Sequence, residues 1–215
     1  MHKLSLLNGW QRNTDPGDAA PSYTVQGGMV YLAGGMHRTT DGRARFAILP
    51  KAARPAHLEY ITVTTYAGGE TALTPGTLKI NPGGVAQLYG NTVAVWLGGV
   101  AFPQASSASH NLRLVNGWES GQSSYGTGNP AYWVSGGVVH LSGSLIMPGA
   151  GQETFATLPP TARPKHSLYI KVYTYQGSVG TLYIQPNGTM QAYDPTATNA
   201  QKFTSLAGIS FPVGS

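Results

Sequence analysis

The chain repeats itself. The run His2-Lys3-Leu4-Ser5-Leu6-Leu7-Asn8-Gly9-Trp10 returns 108 positions later as His110-Asn111-Leu112-Arg113-Leu114-Val115-Asn116-Gly117-Trp118. Tyr23 with 27–32 returns as Tyr132 with 136–141, and 46–50 returns as 155–159. Ala53-Arg54-Pro55 with His57 returns as Ala162-Arg163-Pro164 with His166, 76–80 as 180–184, and 97–103 as 206–212. The offset stays between 104 and 109, so the two copies are collinear. Self-similarity at one period marks each copy as a structural unit, and about 100 residues can bury a core without staples. The expected organisation is module one over 1–103, a polar linker over 104–109, and module two over 110–215.

Each copy reads as all-β. Gly (29) and Pro (15) supply many turns, while 41% hydrophobic and only 10% charged residues argue against disorder. Short extended segments between turn signals suggest an antiparallel sandwich or small barrel; the reading adopted is two tandem antiparallel β-sandwich modules. In the first copy the expected strands are 4–10, 29–36, 45–49, 59–66, 77–80, 85–89 and 93–102, repeated in the second, with no helix. Asn81-Pro82-Gly83-Gly84 and Gln185-Pro186-Asn187-Gly188 read as hairpin turns, with Pro fixing one φ and Gly supplying a positive one. Alternation along 59–66 puts Ile61 and Val63 toward the core, matched by Ile170 and Val172. The other face carries Tyr60, Thr62, Thr64 and Tyr66, matched by Tyr169, Lys171, Tyr173 and Tyr175.

Charge and composition narrow the partners. Thirteen basic residues against eight acidic ones give +5, but the basic residues are scattered. The densest group, Arg38, Arg43 and Arg45, surrounds an expected turn at Asp41-Gly42. Nucleic-acid binding usually needs a basic stripe, so none is expected, although a general attraction to anionic polymers remains. The absence of cysteine excludes disulfides and thiolate chemistry. No run approaches bilayer-spanning length, and the N-terminus shows no signal-peptide core; membrane insertion is not expected.

The candidate sites follow from residue type. None of the acidic residues (Asp15, Asp18, Asp41, Glu59, Glu70, Glu119, Glu153, Asp194) recurs in both copies; Glu59 aligns with Leu168 and Glu119 with Gln11. A glycosidase needs a carboxylate pair at set separation, and no pattern marks one, so no enzyme and no cofactor are expected. His57, His166, His2 and His110 lack partners at ligand spacing, so no metal is expected. Trp10 and Trp118 allow two readings, stacking on a sugar or sealing the end of the module. The tyrosine-rich face suits either a subunit interface or a ligand, because the ring is apolar and its tip polar. Two loops, 11–22 and 119–131, begin at the same point and differ in sequence; Arg12, Asp15 and Asp18 in one, and Ser123, Ser124, Tyr125 and Asn129 in the other, offer recognition chemistry or simple drift. The candidate ligand-binding residues are thus Tyr60, Tyr66, Tyr169, Tyr173, Tyr175, Trp10, Trp118, Arg12 and Tyr125.

The motif order is Leu-x-Asn-Gly-Trp, Gly-Gly-x-Val-x-Leu-x-Gly, Phe-x-x-Leu-Pro, Arg-Pro, Gly-x-Leu-x-Ile and Leu-x-Gly-x-x-Phe. In the second copy it occupies 114–118, 136–143, 155–159, 163–164, 180–184 and 206–211, with the first copy corresponding. This order resembles modules at the C-terminal ends of bacteriophage tail fibres and minor tail proteins. The resemblance implies a β-sandwich tip, homotrimeric, located in the virion with other tail proteins, and binding a host surface polysaccharide or wall polymer. The expected function is therefore host attachment by a non-enzymatic, lectin-like receptor-binding component. A structural decoration or adaptor protein and a free-standing bacterial lectin are the alternatives.

Overall fold

Asn8 and Gly9 both take left-handed backbone conformations, with φ of 55° and 78°, as do Asn116 and Gly117, with 57° and 81°. An Asn-Gly pair meets that demand at little cost. Each turn is closed by the tryptophan that follows: the Trp10 amide donates to the Leu7 carbonyl at 3.1 Å, and the Trp118 amide to Val115 at 3.2 Å. The asparagine side chains fasten the turns to the next part of the module, Asn8 Nδ2 donating to the Arg45 carbonyl at 2.9 Å and Asn116 Nδ2 to that of Thr154 at 3.0 Å. The shared Asn-Gly-Trp motif is thus a turn, and the strand expected over 4–10 is interrupted by it.

This computed structural model describes residues 1–15, 17–39, 44–68, 72–90, 92–106, 108–195 and 197–214. The expected Asp41-Gly42 turn, Arg43 and Glu70 lie outside the described residues. The chain divides into two units, Met1–Ser107 and Ala108–Ser215. The first contains β1 (His2–Lys3), β2 (Trp10–Arg12), β3 (Ser22–Gln26), β4 (Met29–Ala33), β5 (Gly35–Arg38), β6 (Arg45–Ile48), β7 (Glu59–Ala67), β8 (Thr74–Ile80), β9 (Val85–Tyr89), β10 (Thr92–Trp96) and β11 (Ala101–Pro103). They form a four-stranded sheet, β1-β3-β4-β11, and a seven-stranded sheet, β2-β5-β10-β7-β8-β9-β6. Every pairing is antiparallel.

The second unit repeats the order with β12 (His110–Asn111), β13 (Glu119–Ser120), β14 (Ala131–Ser135), β15 (Val138–Ser142), β16 (Ser144–Ile146), β17 (Thr154–Thr157), β18 (Leu168–Tyr173), β19 (Val179–Ile184), β20 (Thr189–Tyr193), β21 (Thr204–Ser205) and β22 (Ser210–Pro212). Its four-stranded sheet, β12-β14-β15-β22, matches that of the first unit, but its larger sheet is split into β13-β16-β21 and β17-β20-β19-β18. The cause is local. Where the first unit has the five-residue β10, the second has a short helix, α2 (Ala197–Lys202), followed by the two-residue β21. A second short helix, α1 (Gln122–Tyr125), lies in the 119–131 loop. The all-β expectation holds, and these two short helices depart from the helix-free reading.

Two other expected strands prove to be pairs that change sheet. The run 29–36 breaks at Gly34, whose φ is 95° and whose hypothetical Cβ would meet the Ala20 carbonyl carbon at 2.5 Å; β4 and β5 therefore belong to different sheets. The run 93–102 breaks at a turn around Gly99 (φ 84°), which passes the chain from β10 to β11. Strand β3, with β14 in the second unit, was not anticipated because it directly follows the variable loop.

In the second unit the two layers share a core, with Val139, Leu141 and Phe211 on one side and Phe155, Leu158, Leu182, Ile184 and Met190 on the other. The first unit buries the corresponding Val30, Leu32 and Phe102, and Phe46, Leu49, Leu78, Ile80 and Ala86. Each large buried side chain contributes about 1.5–3 kcal/mol. Ile61, Val63 and Val172 point inward as expected, and Ile170 packs partly against the core. Both expected hairpins form, the Gly84 amide donating to Asn81 and the Gly188 amide to Gln185, each at 2.8 Å. Beside each, Arg54 Nε donates to the Leu49 carbonyl and Arg163 Nε to that of Leu158, both at 2.9 Å. The Leu-Pro and Arg-Pro motifs are therefore architectural.

Candidate ligand-binding faces and cleft

The outer faces of the two units carry the same row in the same register. In the first, Tyr60 on β7 stands opposite Lys79 on β8, Lys79 opposite Gln87 on β9, and Gln87 opposite Arg45 on β6. In the second, Tyr169 stands opposite Tyr183, Tyr183 opposite Gln191, and Gln191 opposite Thr154. Tyr89 and Tyr193 occupy equivalent places in the adjoining row, opposite Thr77 and Thr181. Same-face neighbours across antiparallel strands lie close enough for such side chains to touch.

They do touch. Lys79 Nζ and Gln87 Nε2 each donate to the Tyr89 hydroxyl at 3.2 Å, and Lys79 Nζ lies 5.6 Å from the Tyr60 ring centre and 5.7 Å from that of Tyr89. Partial burial works against the Lys79 charge, but the Tyr89 hydrogen bond and the electrostatic pull of Tyr60 and Tyr89 outweigh it and hold the ammonium above its ordinary range. In the second unit Tyr169 and Tyr183 stack, with centroids 4.6 Å apart and planes at 13°. Gln191 Nε2 donates to Thr154 Oγ1 at 3.1 Å. The hydrogen bond with Tyr183, and then its charge, raise the Tyr169 phenol. Tyr169 is 72% exposed, so one whole ring face is open to solvent.

The remaining expected residues separate. Tyr125, Tyr173 and Tyr175 gather around the end of α2. The Tyr125 hydroxyl donates to the Lys202 carbonyl at 3.1 Å, and its ring meets Phe203 edge-on at 4.5 Å. Tyr173 meets Phe203 at 5.7 Å, and Lys202 Nζ stands 5.3 Å from the Tyr175 ring centre. Tyr175 has left the strand: β18 ends at Tyr173, and Tyr175–Gly177 form a 3-10 turn with Gln176 at φ 57°. Tyr66 stays on β7 opposite Ala94, half-buried, and Arg12 is exposed on β2.

Trp10 and Trp118 require a correction. Each is 4% exposed and packs edge-on against a core phenylalanine, Trp10 on Phe46 and Trp118 on Phe155, both at 6.0 Å. Trp118 Nε1 donates to the carbonyl of Gln152, in the exposed loop before β17, at 2.7 Å. Both indoles are buried rather than laid open on the surface, and Trp118 also lines the recess described below.

The two loops are fastened by different chemistry. In the first unit Asn13 Nδ2 donates to Asp18 at 2.9 Å, His37 Nδ1 lies 3.1 Å from Asn13 Oδ1, and Trp96 Nε1 donates to Asp18 at 3.2 Å. In the second, Ser120 Oγ donates to Asn129 at 2.9 Å and Thr127 pairs with Ser144 at 2.5 Å. His2 and His110 lie over Tyr23 and Tyr132, at 5.1 and 5.4 Å. Among the described residues, no three His, Asp or Glu side chains gather as metal ligands, and no helix is long and apolar enough to cross a membrane.

A recess of about 120 Å³ opens where the second unit's sheet is split. Trp118, Met147, Ala192 and Ala200, all nearly buried, form its floor, and Glu153, Tyr193, Asp194 and Gln201 stand around it. Asp194 Oδ2 accepts from Ser178 Oγ at 2.8 Å and from Thr174 Oγ1. Burial first, then Glu153, then Tyr183, raise the Tyr193 phenol. In the first unit Glu59 is the buried acid. It is 4% exposed, faces inward with Ile61 and Val63, and burial pushes its carboxyl up to about 8.

Sequence reasoning named Tyr60 and Tyr169 on this face and did not name Lys79, Gln87, Tyr89, Tyr183, Gln191 and Tyr193, which the register places beside them. Aligning the two copies along 77–89 and 181–193 shows the tyrosine and glutamine recurring, and that signal was available. Comparisons with protein-family models, curated proteins and solved structures return no match to this chain.

Proposed function

We propose that this chain is a non-enzymatic bacteriophage tail component, of tail-fibre or minor-tail type, whose two outer sheet faces bind a host surface glycan. One observation carries the binding reading: Tyr60–Lys79–Gln87 with Tyr89, and Tyr169–Tyr183–Gln191 with Tyr193, occupy the same register in both units. Such a face suits sugars. An exposed phenol packs on the apolar C–H face of a pyranose, and glutamine both donates to and accepts from hydroxyls. Shallow sites bind weakly, and two on one chain raise avidity through effective concentration; a homotrimer would multiply them again. The resemblance of the motif order to tail modules supports the virion setting.

The test is sedimentation with purified wall polysaccharide. Tyr60→Ala with Tyr89→Ala, or Tyr169→Ala with Tyr193→Ala, should each weaken binding by about tenfold or more, as expected from lost avidity. The four together should abolish it, while polymer length stays unchanged throughout. Unaltered binding by the quadruple variant overturns the reading. The 72% exposure of Tyr169 also favours a second reading, a subunit interface in a virion adaptor; light scattering that shows the oligomer dissociating in Tyr169→Ala would select it.

A further inference from the structure

The two copies diverge most at one place, and the divergence makes a recess. Where the first unit has Gly90, the second has Asp194; where the first has Thr92 to Ala94 on β10, the second has the end of α2. The Met147 amide donates to the Gln201 carbonyl at 2.7 Å, which fixes α2 as one wall. The opposite walls are Glu153, preceding β17, and Tyr193, at the end of β20.

Shape and chemistry restrict what can enter. The floor is made of core side chains, so the recess is blind and cannot pass a polymer through. The recess measures about 120 Å³, well above the roughly 10–15 Å³ that holds one water, so part of a small ligand can enter. Met147, Ala192 and Ala200 offer an apolar surface to that part. The rim is rich in acceptors, with two carboxylates, Glu153 and Asp194, beside the Tyr193 hydroxyl and the Gln201 amide. Such a rim accepts from hydroxyl or ammonium donors and repels anions. Tyr193 belongs both to the recess and to the outer tyrosine face, so the two are continuous.

We propose that this recess, lined by Trp118, Met147, Glu153, Tyr193, Asp194 and Gln201, is a ligand subsite of the second unit that takes a terminal or branching amino-sugar residue. It rests on the glycan reading only in taking the ligand to be a sugar. The two rim carboxylates disfavour acidic sugars. In the first unit Gly90 brings no carboxylate to the place of Asp194, and β10 runs where α2 stands.

The experiment is an amide chemical-shift titration of the full chain with glucosamine, galactose and glucuronic acid. Glucosamine should shift the amides of Ala192, Tyr193, Asp194, Ala200 and Gln201, with about tenfold weaker binding for glucuronic acid, the order expected of partly exposed ion pairs. Raising salt should narrow that gap. Glu153→Lys, at an exposed position, should remove the preference without altering the rest of the spectrum, and Glu153→Gln should reduce it. Equal response to all three sugars, or shifts confined to the outer tyrosine face, overturns the proposal. So does a glucosamine response unchanged in Glu153→Lys. Polymer sedimentation that persists with no recess shifts rejects the subsite alone. Recess shifts in a protein that sediments with no polymer reject the outer-face reading alone.

Discussion

Thr174 and Thr204 meet through an isolated antiparallel bridge, at the position where Thr65 and Val95 form one of four pairs in a ladder. The difference lies in what precedes Thr204. In the first unit β10 is extended and apolar, Thr92-Val93-Ala94-Val95-Trp96, and pairs with strands on both sides. In the second the same stretch holds the end of α2, then Phe203 and the two-residue β21, which pairs with β16.

Local stability should follow this difference. Amides of 92–96 should exchange more slowly than those of 201–205, by on the order of tenfold or more, because continuous ladders open with larger units of structure. Hydrogen exchange read by mass spectrometry checks this; equal protection would contradict it.

Glu59 makes the first unit sensitive to pH. Its carboxyl titrates near 8 when folded and near 4.5 in the reference state, so between these values the folded form holds a proton that the unfolded form has released. Stability is therefore greatest below about pH 4.5, as far as this group is concerned, and declines as pH rises toward 8. The upper bound of the loss at pH 8 is about 4 kcal/mol. Glu59→Leu, which copies Leu168 of the second unit, should remove the decline. Denaturant unfolding of the two proteins at pH 5 and pH 8, followed by exchange at first-unit amides, measures it.

Removing either buried indole should cost stability. Trp10→Ala and Trp118→Ala each leave a void against Phe46 or Phe155, worth about 3–5 kcal/mol. The readout is thermal unfolding. A variant that kept its stability and lost only glycan binding would reverse the assignment of these residues to the core.

The Arg54 and Arg163 side chains should be needed for the hairpins beside them. Arg54→Ala or Arg163→Ala loses a charged donor to a carbonyl, about 1.5–3 kcal/mol. Lysine should rescue poorly, since the bond is made by Nε of a planar group. Urea midpoints of the four variants test both statements.

Much of the fold was legible because it is written locally. The hairpins at 81–84 and 185–188 are set by Pro and Gly chemistry, and Ile61 and Val63 point inward by simple alternation. The breaks at Gly34 and Gly99 were not legible, because 29–36 and 93–102 are unbroken apolar runs, and what divides the first is contact with Ala20, distant in sequence. Burial of Trp10 likewise depends on Phe46. Of the candidate site, Tyr60 and Tyr169 could be placed from one strand, whereas their partners Lys79, Gln87, Tyr183 and Gln191 required the register of three. The recess was hidden for another reason: Ala197-Thr198-Asn199-Ala200-Gln201-Lys202 has no helical periodicity of apolar residues, and its turn is held by Phe203 and Tyr125 instead.

The continuous sheet of one unit and the recess of the other use equivalent stretches of backbone. A single polypeptide then carries one copy with a seven-stranded sheet and one in which that sheet is split beside a recess, and swapping 194–205 for 90–96 should close the recess.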